Sequence, residues 1–162
     1  IAAWYTLRAI NQGMIGLSGT NTSPLMCPTR AKEAGLGTNP LSFAAPADNG
    51  DSFVLDMATT SVAVGKIEIQ RRKNNPVPSG WAYDSEGNVT NDADVAFTTG
   101  LLAPLGGNEI NSGFKGYGLG AMVEVLCGVL SGALYSNKIR KWTHVGSDAE
   151  ANLGQFFIAV NC

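Results

Sequence analysis

Gly113-Phe-Lys-Gly-Tyr-Gly-Leu-Gly-Ala-Met-Val-Glu-Val-Leu126 sets four glycines and a lysine directly ahead of an apolar run. Read one way, it is a cradle for a nucleotide phosphate; read the other, it is a flexible lead-in to a buried helix. The dinucleotide fingerprint of the doubly wound fold requires G-x-G-x-x-G straight after a strand, and the P-loop requires G-x-x-x-x-G-K. Here Gly116-Tyr-Gly-Leu-Gly120 is G-x-G-x-G after a loop, and the P-loop spacing occurs nowhere in the chain. Both standard nucleotide folds are therefore set aside. A more general chemistry survives: glycines let a backbone approach a ligand, the first turn of a helix offers unpaired N–H groups, and Lys115 adds a point charge beside them. The competing reading is a helix start packed closely by small residues.

Working outward, the window Leu119–Tyr135 is apolar but shorter than a bilayer span, and it carries Glu124 and three glycines, so it reads as a core helix. Residues 2–10 have helical propensity and stop at Asn11-Gln-Gly13, with a strand to follow over Met14–Ser18. Leu41–Ala45 and Phe53–Met57 read as strands joined in a hairpin through Asp48-Asn-Gly-Asp51. Ser61–Lys73 is read as a helix, Trp81–Tyr83 as a short extended piece, Asn91–Thr99 as a short helix and Gln155–Val160 as a strand. Strands interleaved with helices, without internal repeats, predict an α/β layered domain with a mixed β-sheet.

The chain has 162 residues, 44% of them hydrophobic and 15% charged, which suits one core and hence one domain over 1–162. A formal net charge of −2, with the basic residues scattered, gives no field to hold a polyanion, so no nucleic-acid partner is expected. Nor is a membrane partner or a metal. Cys27, Cys127 and Cys162 are odd in number and lie among aliphatic neighbours, which points to reduced thiols and a cytoplasmic setting. Cys127 reads as inert packing, with Cys27 the more exposed of the pair. Both ends look cut, so the chain is expected to be a cofactor-binding piece of something longer.

Taken residue by residue, the polar candidates are ambiguous. Asp56 closes an apolar strand, where a carboxylate either caps a helix or accepts from a ligand hydroxyl. Thr20-Asn-Thr-Ser-Pro24 gathers short polar groups at a strand end, which turns also use for their own backbone. His144 is the only histidine and has no partner motif, so it reads as a surface or interface residue.

Together, the pieces resemble the malate/L-lactate dehydrogenase family of non-Rossmann NAD(P)-dependent 2-hydroxyacid oxidoreductases. The residues that carry the resemblance are Thr20–Pro24, Gly37-Thr-Asn-Pro-Leu-Ser-Phe-Ala-Ala-Pro46, Leu55-Asp-Met-Ala-Thr-Thr60 with Gly65-Lys66, Pro78-Ser-Gly-Trp-Ala82, Leu105-Gly-Gly107, Lys115-Gly-Tyr-Gly-Leu119 and Asn152-Leu-Gly-Gln155, in family order across nearly the whole chain. The resemblance implies that Asp56, Met57, Ala58, Lys115 and Gly116 contact NAD or NADP, with a loop hydroxyl at Thr22 or Ser23. It also implies a small 2-hydroxy or 2-oxo acid substrate, malate before lactate, and a homodimer. The family's acid/base histidine belongs to a His-x-Gly unit immediately before residue 1, so no residue here is assigned a catalytic role. Pro28-Thr-Arg-Ala31 departs from the proline and glycine pair of many bacterial relatives. Two other functions compete: a nucleotide-binding or structural module without activity, and a phosphate-binding transferase built around Lys115.

Overall fold

The computed structural model describes residues 2–142 and 150–161. Its centre is a four-stranded antiparallel sheet in the order β3-β2-β1-β7, made of β1 (Met14–Thr20), β2 (Leu41–Pro46), β3 (Ser52–Met57) and β7 (Gln155–Asn161). A second antiparallel sheet has the order β5-β4-β6, from β4 (Ala82–Tyr83), β5 (Val89–Thr90) and β6 (Leu101–Leu102). The layered α/β reading holds. Among the described residues the strands pair antiparallel, and the one parallel pairing is a bridge between Met26 and Leu102.

Helix α1 (Ala3–Ile10) lies on one face of the large sheet and ends where Asn11 and Gly13 N–H groups bond back to Leu7 and Ile10. The approach is very close. A Cβ added at Gly16 of β1 would stand 2.8 Å from Thr6 Cα and 2.9 Å from Ala9 Cβ, so only glycine admits the helix. Thr6 and Ser42 hydroxyls then hydrogen-bond at 2.8 Å, and Ser18 donates to the Ala2 carbonyl at 2.9 Å.

Helix α4 (Gly113–Glu124) packs on the opposite face, where Leu41, Val123 and Cys127 are buried with Leu55, Met57, Leu119 and Phe156 against them. It continues into a π-turn over Val125–Val129. The predicted core helix is thus buried on one side only: Met122, Val125, Val129 and Leu130 are exposed. Helices α2 (Val64–Arg72) and α3 (Ala93–Thr99) cover the small sheet around Ile67, Val77, Ala96 and Leu102. Asp92 caps α3 by accepting the Asp94 and Val95 N–H groups.

Residues 21–40 form a long loop without regular strands, fastened at Met26 by bridges to Leu36 and Leu102. At its outer end Arg30 has φ +63°, the left-handed region where glycine is at ease. Arg30 grips Glu109 with Nε at 2.9 Å and a second guanidinium nitrogen at 2.5 Å.

Gly16→Ala is expected to cost about 1–3 kcal/mol, seen as a lower urea midpoint with unchanged slope. Cys27 is 1% exposed, against the expectation of an accessible thiol, and burial raises its pKa; burial likewise pushes the fully buried Cys127 up from 9.0 to about 11. Peptide mapping after treatment of the native protein at pH 8 with a thiol reagent should find both unlabelled, and both labelled in denaturant. Above pH 9 the unfolded Cys127 thiol ionises while the folded one keeps its proton, so stability should fall as pH rises toward 11.

Candidate functional site

The alternation of β3 decides where Asp56 and Met57 go. Ser42 pairs with Asp56 and Leu41 with Met57 across the β2–β3 ladder, and successive residues face opposite sides. Asp56 therefore shares the α1 face with Ser42, and its Oδ2 accepts the Ala3 N–H at 3.1 Å, at the start of α1. Met57 turns to the other face and packs against the α4 core. Ala58, half-buried, leads into Thr59, whose hydroxyl donates to the Thr38 carbonyl at 3.0 Å.

Lys115 stands exposed in the first turn of α4, and it makes no ion pair with any described residue. No side chain caps that helix; Ser112 precedes it with φ +63°, and the Gly113 and Lys115 N–H groups donate to the Asn108 and Ser112 carbonyls. Gly116 faces inward, where a Cβ would stand 2.6 Å from the Leu105 nitrogen. The Leu105 N–H in turn donates to the Thr59 carbonyl, so the residues after β3 reach the start of α4 through Leu105. Asp56 thus lies on the α1 face of the sheet, while Lys115 stands at the start of the helix that packs on the other face.

The loop hydroxyls are held from within. Thr22 Oγ1 accepts the Thr38 N–H at 2.9 Å, and Ser23 is 7% exposed. Behind them lies a feature that sequence reasoning missed, the buried carboxylate of Glu124. Its Oε2 accepts from Asn39 Nδ2 at 2.6 Å, and its Oε1 accepts from the Ser136 N–H at 2.8 Å and Asn21 Nδ2 at 3.2 Å. Each amide is pinned elsewhere. Asn39 Oδ1 accepts the Thr22 N–H and its Nδ2 also donates to the Gly120 carbonyl, while Asn21 Oδ1 accepts the Gly154 N–H and its Nδ2 also donates to the Leu134 carbonyl. The available signal was a single carboxylate inside an apolar helical window, together with asparagines in both turn clusters.

Two clefts flank α1. One, of about 570 Å³, opens at the helix start and is lined by Ala2, Tyr5, Ser18, Thr20, Gln155 and Phe157 among others. The second, of about 410 Å³, lies along Arg8, Gln12 and Met14. Neither is lined by Thr22, Ser23, Asp56, Met57, Ala58, Lys115 or Gly116. His144 and Cys162 lie outside the described residues. Among the described residues no cluster of three metal-ligating side chains occurs, and no helix is long and apolar enough to cross a membrane.

Asn39→Ala would orphan both the Thr22 N–H and one Glu124 oxygen. A loss of about 1–3 kcal/mol per orphaned group is expected, measured by chemical unfolding.

The family described as malate/L-lactate dehydrogenase matches residues 1–162. The chain is similar to a malate dehydrogenase of Pyrococcus abyssi, 45% identical over 162 residues that make up 99% of this chain and 43% of the relative. It is also similar to a ureidoglycolate dehydrogenase (NAD(+)) of Escherichia coli K12, 36% identical over 98% of this chain and 43% of that protein. Its structure is similar to that of a sulfolactate dehydrogenase from Methanocaldococcus jannaschii, with a TM-score of 0.85 and 39% identity over 99% of this chain and 44% of the other. The chain spans less than half the length of these relatives. Since the family match runs over the whole chain, the chain belongs to the malate/L-lactate dehydrogenase family.

Proposed function

We propose that the protein of which this chain is the cofactor-binding domain is a dehydrogenase that moves a hydride between NAD or NADP and a small 2-hydroxy acid, malate first and lactate second. The observation that carries the reading is Lys115: an exposed ammonium without an ion-pair partner among the described residues, beside a helix start that no side chain caps. A positive charge at the N-terminal end of a helix suits a phosphate, since the ammonium and the helix dipole attract the same anion. The relatives' names add weight, one of them carrying NAD(+) explicitly.

Bound there, the nicotinamide cofactor would supply the hydride acceptor or donor. The chain's own residues bind and orient it. Lys115 pairs with phosphate oxygens, with Gly116 letting the backbone come near. Thr22 accepts the Thr38 N–H and stands 3.4 Å from the Thr38 hydroxyl, so its proton can go to Thr38 or to a ligand, and Ser23 adds a second hydroxyl. Asp56 accepts from a ribose or carboxamide donor on the α1 side, and Met57 and Ala58 line the path around the strand edge. An extended dinucleotide suits candidates spread over the two faces of the sheet. The 570 Å³ cleft at the start of α1, with Ser18, Thr20 and Gln155, is of a size for the reacting ends of cofactor and acid. A homodimer belongs to the same proposal, since Trp4, Tyr5 and Phe157 leave an exposed aromatic strip beside that cleft.

The test is NADH absorbance with oxaloacetate and with pyruvate on the full-length protein. Turnover of either supports the reading, whereas NADH binding without turnover of these or related 2-oxo acids favours a binding module. Lys115→Met is expected to raise the Kd for NADH about tenfold, a loss near 1.4 kcal/mol; an unchanged Kd removes Lys115 from the site.

A further inference from the structure

Glu124 lies within the long helical run, directly before the π-turn, and it is 5% exposed. The rest of the inward face is small or apolar: Gly116, Gly120, Val123 and Cys127. A leucine or methionine would pack there without the cost of desolvating a charge. What the carboxylate does instead is collect hydrogen bonds from three separate parts of the chain: Asn21, Asn39 and Ser136. Every one of them is a donor. Neither amide can turn over to offer its oxygen, because Asn39 is held by the Thr22 N–H and the Gly120 carbonyl, and Asn21 by the Gly154 N–H and the Leu134 carbonyl. The pocket is thus complementary to two acceptor oxygens and to nothing that carries a hydrogen toward it.

The segments so joined are those that hold the proposed ligand groups. Asn39 carries the Thr22 N–H directly, and the backbone of Thr38 and Asn39 receives the Thr59 hydroxyl, one residue beyond Ala58. Glu124 lies on the same helix as Lys115 and Gly116. Immediately after it the helix widens into the π-turn, and the chain folds back so that the Ser136 N–H reaches Oε1. We propose that Glu124 is a positioning residue of the dinucleotide site, setting the Thr22 loop and the segment after β3 at a fixed spacing from the start of α4. The inference rests on the dehydrogenase reading above, and it assigns Glu124 no contact with substrate or cofactor.

The experiment uses the full-length protein and compares wild type with Glu124→Gln, measuring NADH Kd by fluorescence, kcat at saturating cofactor and thermal stability. A glutamine must aim its amide hydrogens at a fixed donor. The expected result for folded Glu124→Gln is an NADH Kd at least tenfold weaker with kcat changed by less than about threefold. The double variant Asn39→Asp, Glu124→Gln restores one donor–acceptor match and is expected to recover most of that affinity. A folded Glu124→Gln that is less heat-stable yet binds NADH within threefold of wild type overturns the inference and leaves a structural role alone. If Glu124→Gln does not fold, hydrogen exchange on wild type decides: NADH should slow exchange at the Thr22 and Ser136 amides more than in the β4–β5 hairpin, and equal or no slowing overturns it. Wild type that binds neither NADH nor NADPH brings down the functional reading, and this inference with it; wild type that binds while Glu124→Gln binds equally well brings down this inference alone.

Discussion

The arrangement depends on one carboxylate held, among the described residues, by neutral donors. Glu124 sits among amides and a backbone N–H, and three hydrogen bonds take the place of the water it gave up. A buried carboxylate is tolerable only when its oxygens are satisfied, so the loops that satisfy it are obliged to come to it. The loop after β1, the turn before β2 and the return after α4 meet at this point. Apolar packing alone would not select that meeting place, because hydrophobic contact has no direction while each hydrogen bond has one.

The large sheet adds a second rule, that of period two. Along β3 the residues Leu55, Asp56 and Met57 divide between the two faces, so the one polar residue goes to α1 and its apolar neighbours to the α4 core. A single strand thereby delivers a carboxylate to one helix start and a thioether to the other side. Helix α1 can lie flat only where β1 has no side chain, at Gly16, and its first turn then forms one wall of the larger cleft.

Much of this was legible in the chain. The hairpin of β2 and β3, the end of α1 at Asn11–Gly13 and the strand at Gln155 follow from turn chemistry and local pattern, which act over a few residues. The motif order led to the family, which the match over residues 1–162 bears out. The rest was hidden because it depends on distant partners. Glu124 looked like a charge interrupting an apolar window, and nothing nearby names Asn21 or Asn39, which lie 103 and 85 residues away. Cys27 is buried by Tyr83, Leu101 and Ala103, all more than fifty residues away along the chain. The direction of strand pairing was equally hidden, because β7 joins β1 from the far end of the chain.

The long loop is fastened to the α4 region twice, inside by Asn21 and Asn39 on Glu124 and outside by Arg30 on Glu109, just ahead of the helix. These ties answer to different surroundings. The outer pair is open to solvent and weakens as ions accumulate around it, while the inner one lies beyond the reach of dissolved salt. Ionic strength therefore acts as a selective handle, loosening the tip of the loop around residue 30 while its stem at 21 and 39 keeps its geometry.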